Sequence, residues 1–365
     1  MWKRHLSNVL GKTTKRRLLS FFVDDYGAVI NSNISNQNLF LSRGGKLGSN
    51  RFSKFDTLET NEDLEALFDV LTSFKDINGN YVAWTPLAVC ANPDFERIRK
   101  DSYSNYYYEE LDKTLSKTNN GQNVLTLMRQ GISEGFYMPQ YHGREHINVN
   151  ILMNALQSNN KNVRLAFDHN SLYTFLGEDG IVGSNQPFRI VKDTDIPYYS
   201  DIIIDGLECF KRVYGYNAIH FNAPGNRENG KLASIIARHG ISYLETDKIK
   251  HEYLGNGKWK RELHWNGEKN KFGQHYIIRN CVFEPTYDFS DWAEYTFKQI
   301  KIAFKWNKPA IVSSHRVNFA GGISESNRER GLSELTKLIR LVQDSFPEVE
   351  FVNSKQLFKI LYEEK

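Results

Sequence analysis

Apolar runs too brief to be helices alternate along this chain with longer segments of helical periodicity, and that alternation limits the fold more than any other feature. The apolar runs lie at 18–23, 81–89, 135–141, 163–167, 218–221, 241–244, 276–283, 310–313 and 349–352. Helix-like segments lie between several of them, at 61–74, 147–156, 197–214, 230–239, 291–304 and 327–346. Repeated strand and helix predicts an α/β fold on a mainly parallel sheet, because a parallel crossover has to run back across the sheet, usually as a helix. In such folds polar chemistry collects at the carboxyl ends of the strands.

The 365 residues, 40% hydrophobic, suffice to bury one large core. Asn/Ser-rich pieces near 31–38, 117–122 and 158–162 read as surface loops rather than domain boundaries, so a single domain over 1–365 is expected. Forty-seven basic against 43 acidic residues, a formal charge of +4, is too balanced for charge alone to argue a nucleic-acid or membrane partner, and no nucleic-acid partner is expected. Cys90, Cys209 and Cys281 are odd in number, far apart and without a C-x-x-C pair, which argues against a disulfide framework or a cysteine metal site. The basic start lacks the long apolar stretch and small-residue cleavage site of a signal peptide. No stretch reaches the roughly 18 apolar residues of a membrane span. A cytoplasmic protein is the expectation, with oligomeric state left open.

Three features carry chemistry. Asp24 and Asp25 end the buried run LLSFFV, where adjacent carboxylates repel unless a cation, proton or donor compensates them; a solvated turn is the bland alternative. His142 and His146, four apart in HGREH, suit a divalent transition metal if they share one face of a helical turn; a chance exposed pair is the alternative. His315 ends the β-branched run PAIVSSH, as a reactive imidazole or a satisfied structural one.

In this order the features resemble the NodB-like polysaccharide deacetylases, whose fold is a distorted (β/α) barrel. The resemblance implies Asp24 as general base, Asp25, His142 and His146 as ligands of one divalent metal, and His315 as general acid. Zinc is the first expectation for the metal, with cobalt, nickel and ferrous iron also suited to the donors. It further implies hydrolysis of an acyl group, N-acetyl first, from an amino sugar or glycan precursor.

The family's Arg-x-Pro-Tyr motif aligns with Asn222-Ala223-Pro224-Gly225-Asn226, without the arginine or the tyrosine. A backbone donor at Gly225 survives that change, whereas Asn222 cannot replace a guanidinium charge. Arg279 in YIIRN is the candidate substitute for orienting Asp24, with a structural salt bridge as the alternative. Asp288-Phe-Ser-Asp291-Trp292 matches the Asp-x-x-Asp-Trp motif, although Asp291 is equally a helix cap. The chain departs from the family in an inserted segment at about 90–135, where Tyr103 and Tyr106, Tyr107 and Tyr108 form either a sugar-stacking platform or a packed loop.

Two competing functions remain. His142-x-x-Glu145-His146 spells the inverted zinc-peptidase motif, with Glu145 as base, but Pro139 and Gly143 disfavour the continuous helix it needs. The missing motif arginine and tyrosine also fit a non-catalytic carbohydrate-binding protein on the same fold.

Overall fold

The computed structural model describes residues 5, 8–172, 181–226, 228–255, 257–287 and 291–364. Nine strands form one sheet: β1 (Arg17–Tyr26), β2 (Trp84–Val89), β3 (Gln140–Gly143), β4 (His220–Phe221), β5 (Tyr243–Glu245), β6 (His275–Ile277), β7 (Cys281–Val282), β8 (Ala310–His315) and β9 (Val349–Phe351). The order is β6-β5-β4-β3-β2-β1-β8-β7, with β9 beside the start of β1, and every pairing is parallel.

The two edge strands of that path, β6 and β7, are joined by residues 278–280 alone. Seven steps of about 4.8 Å would set the edges of a flat sheet about 34 Å apart, and the connection reaches at most about 14 Å. The sheet therefore curls until its edges meet, giving the distorted barrel. Curvature also brings Phe22 of β1 against His220 of β4, three strands away, with ring centroids 5.1 Å apart. Asn280 stitches the seam: its side chain accepts from the Ile311 amide at 2.9 Å and donates to the Pro309 carbonyl at 2.9 Å.

Strand β1 is buried on both faces, which is why it reads as a continuous apolar run. Leu18 and Phe22 point inward with Leu87, Tyr243, Ile277 and Ile311, while Leu19, Phe21 and Val23 join the larger core under the helices. After β9 the chain forms a helix, Ser354–Phe358, started by a capping box between Asn353 and Gln356. Phe358 stacks on Tyr243 at 4.1 Å and meets His220 at 5.1 Å, filling the barrel. Because β9 pairs with the first residues of β1, this plug closes the amino-terminal mouth and leaves the carboxyl ends of the strands for the site.

Two local expectations are corrected. Residues 163–167 are helical, within Lys161–Asp168, because Asn160 caps the Val163 amide and Val163, Ala166 and Phe167 fall on one buried helical face. The run at 276–283 is not one strand but the edges β6 and β7, broken at the seam. Between β2 and β3, a hairpin of Ala91–Pro93 and Tyr108–Glu110 precedes helix Gly121–Glu134, which buries Val124, Leu125 and Met128 in the main core. Among the described residues no helix is long and apolar enough to cross a membrane.

Phe358→Ala removes the largest ring of the plug and should cost about 3–5 kcal/mol in chemical denaturation. A loss below about 1 kcal/mol would show that the terminal helix is not part of the barrel core.

Candidate active site

At the end of β1 the pleat should send Asp24 inward and Asp25 outward. A register shift between Val23 and Tyr26 and a positive φ of 77° at Asp25 break that alternation, a bulge that delivers both carboxylates to one pocket. Aspartate tolerates this backbone better than most residues. Both side chains are almost fully buried, so each needs its own compensation.

Asp25 faces the histidines. Its Oδ1 lies 2.8 Å from His146 Nε2 and 3.6 Å from His142 Nε2. His142 stands on β3 and donates from Nδ1 to the Asn222 carbonyl at 2.8 Å, which leaves the Nε2 lone pair aimed at Asp25 with no hydrogen-bond partner. Burial alone would raise the Asp25 carboxyl, but the neighbouring His146 outweighs it and holds it well below the usual carboxylate range. One donor atom from each of the three residues falls within 4.8 Å of the others. An ionised carboxylate, an orphaned imidazole nitrogen and a backbone-oriented ring fit a divalent transition ion.

The helical turn expected at 142–146 is not there. His142 lies in a strand, Gly143 ends it with a φ of 141°, and His146 lies in the bend that follows. Glu145 is turned away, its Oε1 taking the Tyr106 hydroxyl at 2.9 Å and Arg144 Nε at 2.8 Å. The inverted-peptidase reading loses its helix, and its base is already committed.

Asp24 faces Arg279, which grips both oxygens at 2.9 and 3.0 Å. Arg279 also pairs through Nε with Glu245 at the end of β5, and Glu245 accepts from Asn222 Nδ2 at 2.7 Å. Asn222 is thus an orienting residue on both sides, its carbonyl holding His142 and its amide holding Glu245. Pro224 and Gly225 form the turn after it, where Gly225 has a φ of 66° and a Cβ would sit 2.9 Å from Gln186 Cγ. No described contact ties that turn to Asp24 or the histidines.

His315 lies opposite Asp24 in the β1/β8 register, with Nε2 3.7 Å from Asp24 Oδ2. Its Nδ1 gives its proton to Glu284 at 2.6 Å, and Arg51 pairs with the other oxygen of that carboxylate. Burial would lower the imidazole's pKa, but Glu284 outweighs it and raises it to about 9. Burial likewise opposes ionisation of Glu284, yet His315 and Arg51 bring it down to about 2. His315 is therefore an imidazolium at neutral pH, with Nε2 on the Asp24 side and the Phe52 ring edge-on at 5.3 Å.

Glu245, Glu284 and Arg51 were not anticipated. The first two follow apolar runs as Asp24 does, a signal that was present; Arg51 sits in a short helix, Arg51–Phe55, remote in sequence and without one. Asp288 lies outside the described residues, and Asp291 caps the helix Trp292–Lys305 and pairs with Lys337 at 2.8 Å. The tyrosines of the inserted segment are a packed loop. Arg97 covers the Tyr107 ring at 3.8 Å, Arg144 covers Tyr108 at 4.2 Å, Arg164 covers Tyr103 at 4.4 Å, and Tyr106 binds Glu145.

No family model and no curated protein matches the chain. Solved structures similar to it include a Mycobacterium smegmatis protein assigned as a polysaccharide deacetylase, at 13% identity over 97% of this chain and 91% of that one with a TM-score of 0.45. The Puue allantoinase is similar at 11% identity over 96% and 93% with a TM-score of 0.45. A CE4 family pseudoenzyme from Bacillus anthracis is similar at 9% identity over 94% and 65% with a TM-score of 0.38. Likenesses this distant decide neither family nor chemistry.

In metal-free protein, the His315 imidazole should titrate near pH 9 by NMR. Because its folded pKa lies above the unfolded value of about 6.5, its stabilising contribution is complete below that pH and is lost as pH rises through about 9. Glu284→Gln removes the main opposing influence, so burial should then pull the midpoint down by more than one pH unit. An unmoved midpoint would refute the pairing.

Proposed function

We propose that this chain is a metal-dependent hydrolase that removes an acyl group, N-acetyl first, from an amino sugar of a glycan or glycan precursor, as a divergent member of the NodB-like deacetylases. One observation carries the reading: Asp24, the Asp25–His142–His146 donors and the His315 imidazolium meet at one barrel mouth, with the base and the acid fixed by separate charged partners. That supplies a base, a metal-ligand set and an acid around a single reacting bond.

Asp25, His142 and His146 would hold the ion, zinc first, which supplies Lewis acidity to water and to an acyl oxygen when bound. Asp24 accepts the proton of the water that attacks the acyl carbon. Arg279 keeps that carboxylate aimed, the task of the arginine missing beside Asn222. The carbon–oxygen bond forms and the carbon–nitrogen bond breaks as His315 gives its Nε2 proton to the departing amine. Glu284 stabilises the charged imidazole before that transfer. The products are the free carboxylic acid and the amino sugar.

Purified protein should carry about one divalent transition ion per chain, and His142→Ala should strip it. Asp24→Asn should keep the ion yet lower acetate release from N-acetylated amino-sugar oligomers by about a hundredfold or more, the scale for losing a general base. Glu145→Gln should cost far less. Stoichiometric metal without any release by the wild type would leave a binding protein on this fold, and the inverse ranking of the two variants would return the base to Glu145.

A further inference from the structure

Between β5 and β6 the chain makes its crossover without a helix. It uses an antiparallel hairpin of strands Ile249–Gly255 and Lys258–Leu263, paired from Ile249 opposite Leu263 to Gly255 opposite Lys258. One side is anchored: Lys250 is buried between Glu228 at 2.7 Å and Glu252 at 3.1 Å. The other side is bare. On it Ile249 pairs with Leu263 and Arg261 with His251, while Trp259 lies over Tyr253 with ring centroids 5.1 Å apart; Ile249, Trp259 and Leu263 are each 48% to 55% exposed, and Phe272 in the following turn is 40% exposed.

Cations are interleaved with these apolar groups. Residues 248–272 contain seven lysines and arginines against three glutamates, an excess of four that equals the formal charge of the whole chain. Arg261, Lys269 and Lys271 have no carboxylate within 4 Å among the described residues. With Leu254, Leu263 and Phe272 they line one open cleft of about 740 Å³, whose lining carries five lysines and arginines against three glutamates.

Exposed apolar patches of this kind mark contact surfaces, and the charges select the partner. A second copy of this face would set like charges against each other. A nucleic-acid strand would engage the cations and stack on Trp259, but it offers nothing to Ile249 and Leu263. An anionic bilayer satisfies all of them: tryptophan and aliphatic side chains enter the headgroup–acyl boundary while lysine and arginine reach lipid phosphates. We propose that the outer face of the 249–263 hairpin, with the turn carrying Lys269, Lys271 and Phe272, docks this protein on anionic phospholipid membranes. This inference is independent of the chemistry proposed for the barrel mouth.

The test is co-flotation of the full chain with vesicles of equal parts phosphatidylglycerol and phosphatidylcholine, against phosphatidylcholine alone. Wild type should bind the anionic vesicles at least about tenfold more tightly, and about 0.5 M salt should release most of it. Trp259→Ser with Leu263→Ser, and separately Lys258→Glu with Arg261→Glu, should each weaken binding about tenfold or more with melting temperature unchanged, since all four side chains are exposed. Absence of flotation, flotation of both variant pairs equal to that of the wild type, or binding to a single-stranded oligonucleotide without binding to vesicles would overturn the proposal.

Discussion

Everything at the barrel mouth depends on a connection of three residues. Residues 278–280 join the two edges of the sheet, and Arg279 stands in the middle of that seam. In a flat sheet Asp24 on β1 and Glu245 on β5 would be about 19 Å apart, four strand spacings. Closure brings both against the same guanidinium. The attraction is mutual in its consequences: two buried carboxylates are tolerable only with a shared cation, and the cation is tolerable at the seam only with both carboxylates. Removing any one of the three would strand charge in a dry place.

The paired aspartates show how one chain position serves two purposes. Adjacent carboxylates at the end of a buried strand repel, and a regular strand would separate them by sending one to each face. The bulge keeps them together, and the surrounding elements divide them again chemically. Asp24 belongs to Arg279, and Asp25 belongs to His142 and His146. Asn222 links the two halves, its carbonyl fixing the His142 tautomer and its side chain steadying Glu245. A neutral residue at that position is sufficient because the positive charge arrives from the seam instead.

Charge on this molecule is a matter of distribution. The chain as a whole is nearly balanced, yet its excess is gathered in one 25-residue stretch that is also rich in exposed apolar groups. At the mouth the opposite arrangement holds. Arg51, Arg279 and Arg316 are buried against Glu284, Asp24 with Glu245, and Asp56 with Glu59, so each cation has carboxylates in direct contact.

Hydrophobic period and polar residues at strand ends are local properties, so the alternation of strand and helix, a mainly parallel sheet and Asp24, Asp25, His142, His146, Arg279 and His315 as the residues to watch were legible in the sequence, while the barrel came only from the resemblance to the NodB-like deacetylases. The sequence misassigned 163–167, where a short apolar run has no period long enough to separate strand from helix until Asn160 caps it. It also read 276–283 as one strand, since apolar character continues through a break that only the closing of the sheet creates. Tertiary contact alone settled that Glu284 holds His315, that Arg51 reaches Glu284 across 233 residues of sequence, and that Tyr107 and Tyr108 lie under Arg97 and Arg144. The physical reason is that charge pairing acts through space at a few ångströms, while the chain records order alone; which carboxylate meets which cation is fixed only when the two edges of the sheet are brought together.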